Sequence, residues 1–148
     1  MNYKDDYDER NKSASVSEIR CEEYLTSKEI LYVRYGFDQY DSPIPKEQFW
    51  LLPPNVRNQP DFIVFQNQAV FLEVKGCKEI LRLKLSDIKV YDFWKKIMPI
   101  SFFIYSATYK KHKLVSYTVL RALTTIAPID RYPDNKKEYF KIDWGAID

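Results

Sequence analysis

The stretch NQPDFIVFQNQAVFLEVKGC, from Asn58 to Cys77, carries Asp61, Glu73 and Lys75 inside an otherwise apolar run. Charged groups are rarely buried unless they are paired or bound to a metal, so these three need a chemical reason. Strand side chains alternate faces, which puts Glu73 and Lys75 on one side and Val70, Leu72 and Val74 on the other, toward a core. If a hairpin sets Asp61 beside Glu73, two carboxylates and one ammonium converge at a sheet edge. Adjacent carboxylates repel, and one takes up a proton unless a cation bridges them. A hard divalent cation relieves that repulsion and keeps several of its waters; Mg²⁺ is the expected ion, with Mn²⁺ as a substitute. The chemistry to expect is attack of a metal-bound water on a phosphodiester, with Lys75 orienting that water or countering transition-state charge. The competing reading makes Asp61 a turn residue and Glu73–Lys75 an exposed ion-pair ladder. It accounts for the charges but not for their apolar neighbours.

These residues need elements to hold them. In SASVSEIRCEEYLTSKEI, Ser15 followed by Glu18 is a capping box that predicts a helix over about residues 16–28. Glu18 and Glu22 then lie one turn apart on a face shared with Cys21 and Leu25, and either supplies a third carboxylate. ILYVRYGF reads as a strand closed by Gly36. Five prolines between residues 42 and 60 exclude a long helix and predict a short strand or packed flap. Phe49 and Trp50 in that flap are expected to cover the core, with a wedge against nucleic-acid bases as the sharper alternative. DFIVF, QNQ and AVFLEVK read as a tight hairpin. Ser86 is expected to cap a helix from Asp87 to Ile97, favoured by Lys95 and Lys96 near its C-terminus. SFFIYSAT and KLVSYTVLRAL read as two strands joined by the basic turn YKKHK, and KEYFKIDW as a short edge strand. The result is a mixed α/β (α+β) domain over residues 14–148 with a central sheet flanked by helices. Residues 1–13 are expected to be a flexible acidic tail.

Composition narrows the function. Residues 1–10 carry a net −2, whereas residues 76–121 carry ten positive side chains against three negative, a net +7. A basic block behind an acidic site suits a polyanion, and Lys78, Arg82, Lys84, Lys110, Lys111 and Lys113 are the expected nucleic-acid contacts. Such contacts position a phosphate backbone without reading sequence. The single histidine, His112, sits in the basic turn, which argues against a His-based triad and against a zinc site. Cys21 and Cys77 have no metal-binding spacing, and no Gly-rich phosphate loop occurs. Without a signal-peptide pattern or a bilayer-length apolar run, an intracellular, cytoplasmic protein is expected.

Pro60-Asp61, an eleven-residue gap and then Glu73-Val74-Lys75 resemble the signature of the PD-(D/E)xK nuclease superfamily. The helix start with Glu18 resembles that superfamily's first-helix acidic residue. The resemblance spans roughly residues 15–97 and implies a restriction-endonuclease-like fold. It further implies that Asp61, Glu73 and Glu18 hold metal and that Glu18, Asp61, Glu73 and Lys75 form the catalytic set. The short build looks most like the small Holliday-junction resolvases, which implies a Mg²⁺-dependent DNA endonuclease acting on branched DNA. A homodimer is expected, since symmetric cutting of two strands needs two sites. The alternatives are a restriction or repair nuclease or exonuclease of the same fold, and a catalytically inactive nucleic-acid-binding module.

Overall fold

A computed structural model of the chain describes residues 16–36 and 44–148. The expected tail, the Ser15 cap and the start of the proline-rich segment lie outside these residues. The first helix, α1, covers residues 16–27. It is followed by β1 (Leu31–Arg34), two four-residue helices α2 (Lys46–Phe49) and α3 (Pro54–Arg57), and the hairpin β2 (Phe62–Phe65) and β3 (Ala69–Cys77). Next come β4 (Ile80–Lys84), α4 (Leu85–Lys95), β5 (Ile100–Ser106), β6 (Lys111–Ser116), α5 (Tyr117–Thr124), β7 (Ile129–Arg131) and β8 (Glu138–Asp143). A 3₁₀ turn at Trp144–Ala146 follows.

Five strands form a mixed sheet in the order β1-β2-β3-β5-β6, antiparallel except for the parallel pair β3–β5. The central strand β3 is covered on both faces, which is why AVFLEV is almost continuously apolar rather than alternating. On one face Leu72, Val74, Phe62 and Phe103 pack against Cys21 and Leu25 of α1. On the other, Phe71, Phe102 and Ile104 meet Ile88, Tyr91 and Trp94 of α4 and Leu120 of α5. Lys75 and Glu73 therefore point into a covered face, and the ladder reading fails: Glu73 is only 8% exposed.

The remaining three strands form a second small sheet in the order β4-β8-β7. Four sequence expectations are corrected here. KEYFKIDW lies in the middle of this sheet rather than at an edge. YTVLRAL is helical, because Ser116 caps it, its Oγ accepting from the Val119 N–H at 3.3 Å, and Tyr117, Leu120 and Thr124 are buried at helical spacing. Helix α4 begins directly at the end of β4 with Lys84 at the N-cap and no side-chain cap, so Ser86 stands inside the first turn. The proline-rich segment holds two short helices rather than a strand. Pro45 and Pro53 precede them and Pro54 opens the second, positions where a missing N–H removes no helical bond. The indole N–H of Trp94 donates to the Asn55 carbonyl at 3.1 Å, fastening this segment to α4.

Candidate active site

The β2–β3 ladder stops at Phe62 opposite Leu72. One further step of that register sets Asp61 opposite Glu73, where facing side chains of an antiparallel pair stand roughly 4.5–5.5 Å apart at Cβ. The next step would bring Pro60 opposite Val74, and proline has no N–H to continue a ladder. The Asp61 carboxylate takes that place instead, its Oδ2 accepting from the Val74 N–H at 2.8 Å. The Asp61 carbonyl is fixed in turn by the N–H groups of Tyr35 and Gly36, at 2.9 and 3.3 Å. A Cβ on Gly36 would lie 2.6 Å from the Pro60 carbonyl oxygen, so only glycine allows this approach.

The Asp61 and Glu73 carboxyls stand close enough to influence one another. Burial pushes the Glu73 carboxyl well above the usual range, and the charge of Asp61 pushes it further; Lys75 opposes the shift. Burial alone would lower the Lys75 ammonium. Asp87, Glu73 and Asp61 outweigh it and hold the pKa above the ordinary lysine value. The Lys75 Nζ stands 3.9 Å from Asp87 Oδ2. Tyr91, one helical turn beyond Asp87, lines the cleft with its phenol beside Glu73, and burial holds that phenol well above the usual tyrosine range.

These groups line one open cleft of about 220 Å³, joined there by Glu18, Arg34 and Arg57. Pockets that enclose small organic ligands run roughly 300–1,000 Å³, so a polymer passing across the mouth suits it better. Of the two helix carboxylates, Glu18 lines the cleft, with Oε2 3.1 Å from Arg34 Nη1. Glu22 instead accepts from the Tyr32 hydroxyl at 3.2 Å.

The six basic residues expected to hold nucleic acid do not line this cleft. Lys113 is committed elsewhere: its Nζ donates to the carbonyls of Trp144 and Ile147, both at 2.7 Å, and lies over the Trp144 ring. Lys110 and Lys111 are exposed where β5 turns into β6, and Lys78 is exposed just past β3. On the small sheet, Arg82 lies over Tyr139 and Tyr132, and Lys84 over Tyr132. The cations at the cleft are Lys75, Arg34 and Arg57, and sequence reasoning missed the last two along with Asp87 and Tyr91. The i, i+4 spacing of Asp87 and Tyr91 on a predicted helix was the available signal.

Among the described residues no three His, Cys, Asp or Glu side chains stand together as a metal cage. Mg²⁺ does not need one, since one or two carboxylates, waters and substrate phosphate suffice. The pair of half-buried Asp61 and buried Glu73, whose carboxyl is driven toward protonation, fits such an ion as its protein ligands.

No protein-family model matches the chain, and no curated protein matches it in sequence. Among solved structures, D212, a nuclease from a fusselovirus, is similar with a TM-score of 0.50 and 12% identity, covering 93% of this chain and 83% of that one. Hjc from Archaeoglobus fulgidus, a Holliday junction resolvase, is similar with a TM-score of 0.47 and 16% identity, covering 83% and 84% of the two chains. The chain has the restriction-endonuclease-like fold, a central mixed sheet flanked by helices.

Proposed function

We propose that this protein is a metal-dependent deoxyribonuclease that hydrolyses phosphodiester bonds in DNA, acting as a structure-specific endonuclease of the Holliday-junction-resolving kind. The observation that carries this reading is the partly buried Asp61 carboxylate facing buried Glu73, with Lys75 two residues further along the same strand, at an open cleft. The fold shared with the nuclease D212 agrees with it. The preference for branched DNA rests on the chain's short build and on the order of Glu18, Pro60-Asp61 and Glu73-Val74-Lys75.

Asp61 and Glu73 would hold Mg²⁺ or Mn²⁺. When bound, the ion supplies an acidified water and neutralises charge on the phosphate. Lys75, kept charged by Asp87, orients the attacking water and balances negative charge as it develops. Tyr91 stands beside the Glu73 carboxyl. Glu18 completes the acidic side of the cleft from α1. A symmetric cut across two strands would use a homodimer.

The test is cleavage of supercoiled plasmid, linear duplex, single strand, flap and four-way junction in Mg²⁺, Mn²⁺ or EDTA. Metal-dependent incision that disappears in Asp61→Ala and Lys75→Ala, with DNA binding retained, supports the proposal. Incision that survives Asp61→Ala overturns it. Degradation of linear duplex only from its ends replaces the endonuclease with an exonuclease.

A further inference from the structure

Trp50 stands apart from the other tryptophans. It is 53% exposed, whereas Trp94 and Trp144 are 7% and 9% exposed. Burying an indole is strongly favourable, so an exposed one on a fold with an otherwise aromatic-rich core calls for a partner. Its surroundings limit what that partner is. The Arg57 guanidinium lies over the indole, 4.5 Å from the ring centroid, and its Nη1 donates to the Trp50 carbonyl at 3.4 Å. Buried Phe49 makes a perpendicular edge contact with Trp50, the ring centroids 5.7 Å apart. Arg57 also lines the catalytic cleft, beside the Asp61–Glu73 pair. Leu51, next in the chain, is 81% exposed. A planar apolar ring, a stacked planar cation and an adjoining cleft with two further cations, Arg34 and Lys75, match a flat heterocycle attached to a phosphate.

We infer that Trp50 and Arg57 form a stacking platform for an unpaired nucleobase at the rim of the cleft, selecting single-stranded or branched DNA over intact duplex. This deepens the nuclease reading and rests on it for the identity of the polymer. Bases within a duplex are stacked on one another and cannot reach the indole, whereas a base at a branch or in a single strand can. The two short helices carry the platform because Pro45, Pro53 and Pro54 stiffen their starts, and the Trp94–Asn55 hydrogen bond ties the second to α4. The platform is therefore held at a set position beside the acidic pair.

The experiment is a titration in EDTA, where no hydrolysis occurs, at one fixed salt concentration, read for every variant by the anisotropy of a fluorophore-labelled oligonucleotide and, in the wild type, also by intrinsic tryptophan emission. The probe is an oligothymidylate of roughly ten nucleotides, within the site sizes such surfaces take, compared with a duplex of the same length. Stacking on the one exposed indole is expected to quench emission. Trp50→Ala is expected to weaken single-strand binding roughly 5- to 150-fold, the worth of one stacked base. The loss on duplex should be much smaller, and Trp50→Phe should restore most of the single-strand affinity. Absence of quenching, or an equal loss on single strand and duplex, overturns the platform and leaves the surface to an apolar protein partner. A protein that cleaves nothing in any metal but shows the Trp50-dependent preference loses the nuclease reading and keeps the platform. One that cleaves while Trp50→Ala binds single strands as the wild type does loses the platform alone.

Discussion

Glu73→Gln should make the metal-free protein more stable while abolishing cleavage. Glutamine has nearly the same shape as glutamate. Its amide can donate to the facing Asp61 carboxylate and its carbonyl can accept from the neighbouring Tyr91 phenol, so the substitution leaves neither neighbour without a polar partner. What disappears is a buried carboxyl facing a second carboxylate. Burial is the largest influence on Glu73 and Asp61 the next, and together they outweigh the attraction to Lys75. Single stabilising substitutions commonly yield about 0.5–2 kcal/mol, and relief of this repulsion belongs in that range. For a chain of this length that corresponds to a rise in Tm of roughly 1–8 °C.

The pH dependence carries the sign. The folded Glu73 carboxyl binds its proton more tightly than the unfolded one, so the folded state holds more protons above the ordinary value of 4.5. Stability from this group is complete below that pH and is lost as pH rises toward the folded pKa. The advantage of Glu73→Gln is therefore near zero at about pH 4.5 and grows toward neutrality. Saturating divalent cation should reverse part of it, since binding at ten times Kd stabilises the wild type by about 1.4 kcal/mol and the variant lacks a ligand. Thermal melts of both proteins in EDTA and in Mg²⁺, from pH 4.5 to 8, supply the comparison. A variant that melts at or below the wild-type temperature in EDTA at pH 7.5 refutes the reasoning, because the carboxyl would then be stabilising where it sits.

Other substitutions test the frame around the site. Gly36→Ala places a methyl 2.6 Å from the Pro60 carbonyl oxygen and 2.8 Å from that of Gln59. Urea unfolding should show a loss of about 1–3 kcal/mol, with cleavage reduced because Asp61 shifts with its neighbours. Lys113→Met keeps most of the stem over Trp144 but strands two carbonyls that now accept at 2.7 Å; equilibrium unfolding should register a cost of about 1–3 kcal/mol. Leu25→Ala empties the contact between α1 and the sheet and should cost about 2–5 kcal/mol in the same assay. Burial raises the Cys21 and Cys77 thiols to about 12 and about 11, so alkylation of the native protein at pH 8 should be far slower than of a urea-unfolded control.

The pattern of agreement between sequence and structure has a physical cause. The β2–β3 hairpin was legible because strand alternation, β-branched residues and a short polar turn all act within twenty residues of chain. Once register puts Asp61 opposite Glu73, the acidic pair follows from local geometry alone. Tyr117–Thr124 was misread because its apolar composition suits a strand as well as a helix, and only the Ser116 cap, a single hydrogen bond, decides between them. Arg34, Arg57, Asp87 and Tyr91 were missed for a different reason. They reach the cleft from β1, the last residue of α3 and two turns of α4, and nothing in their own neighbourhoods marks a site. The burial of both faces of β3 explains why such helpers are needed. A strand covered by α1 on one side and α4 on the other can expose carboxylates only at the break beyond Phe62, where Pro60 ends the ladder. Asp87 and Tyr91 are the side chains that α4 presents at that break. The same packing that buries the strand thus sets the charge on Lys75 and the surroundings of Glu73, so the reactivity of the pair depends on α4 as much as on the motif that carries it.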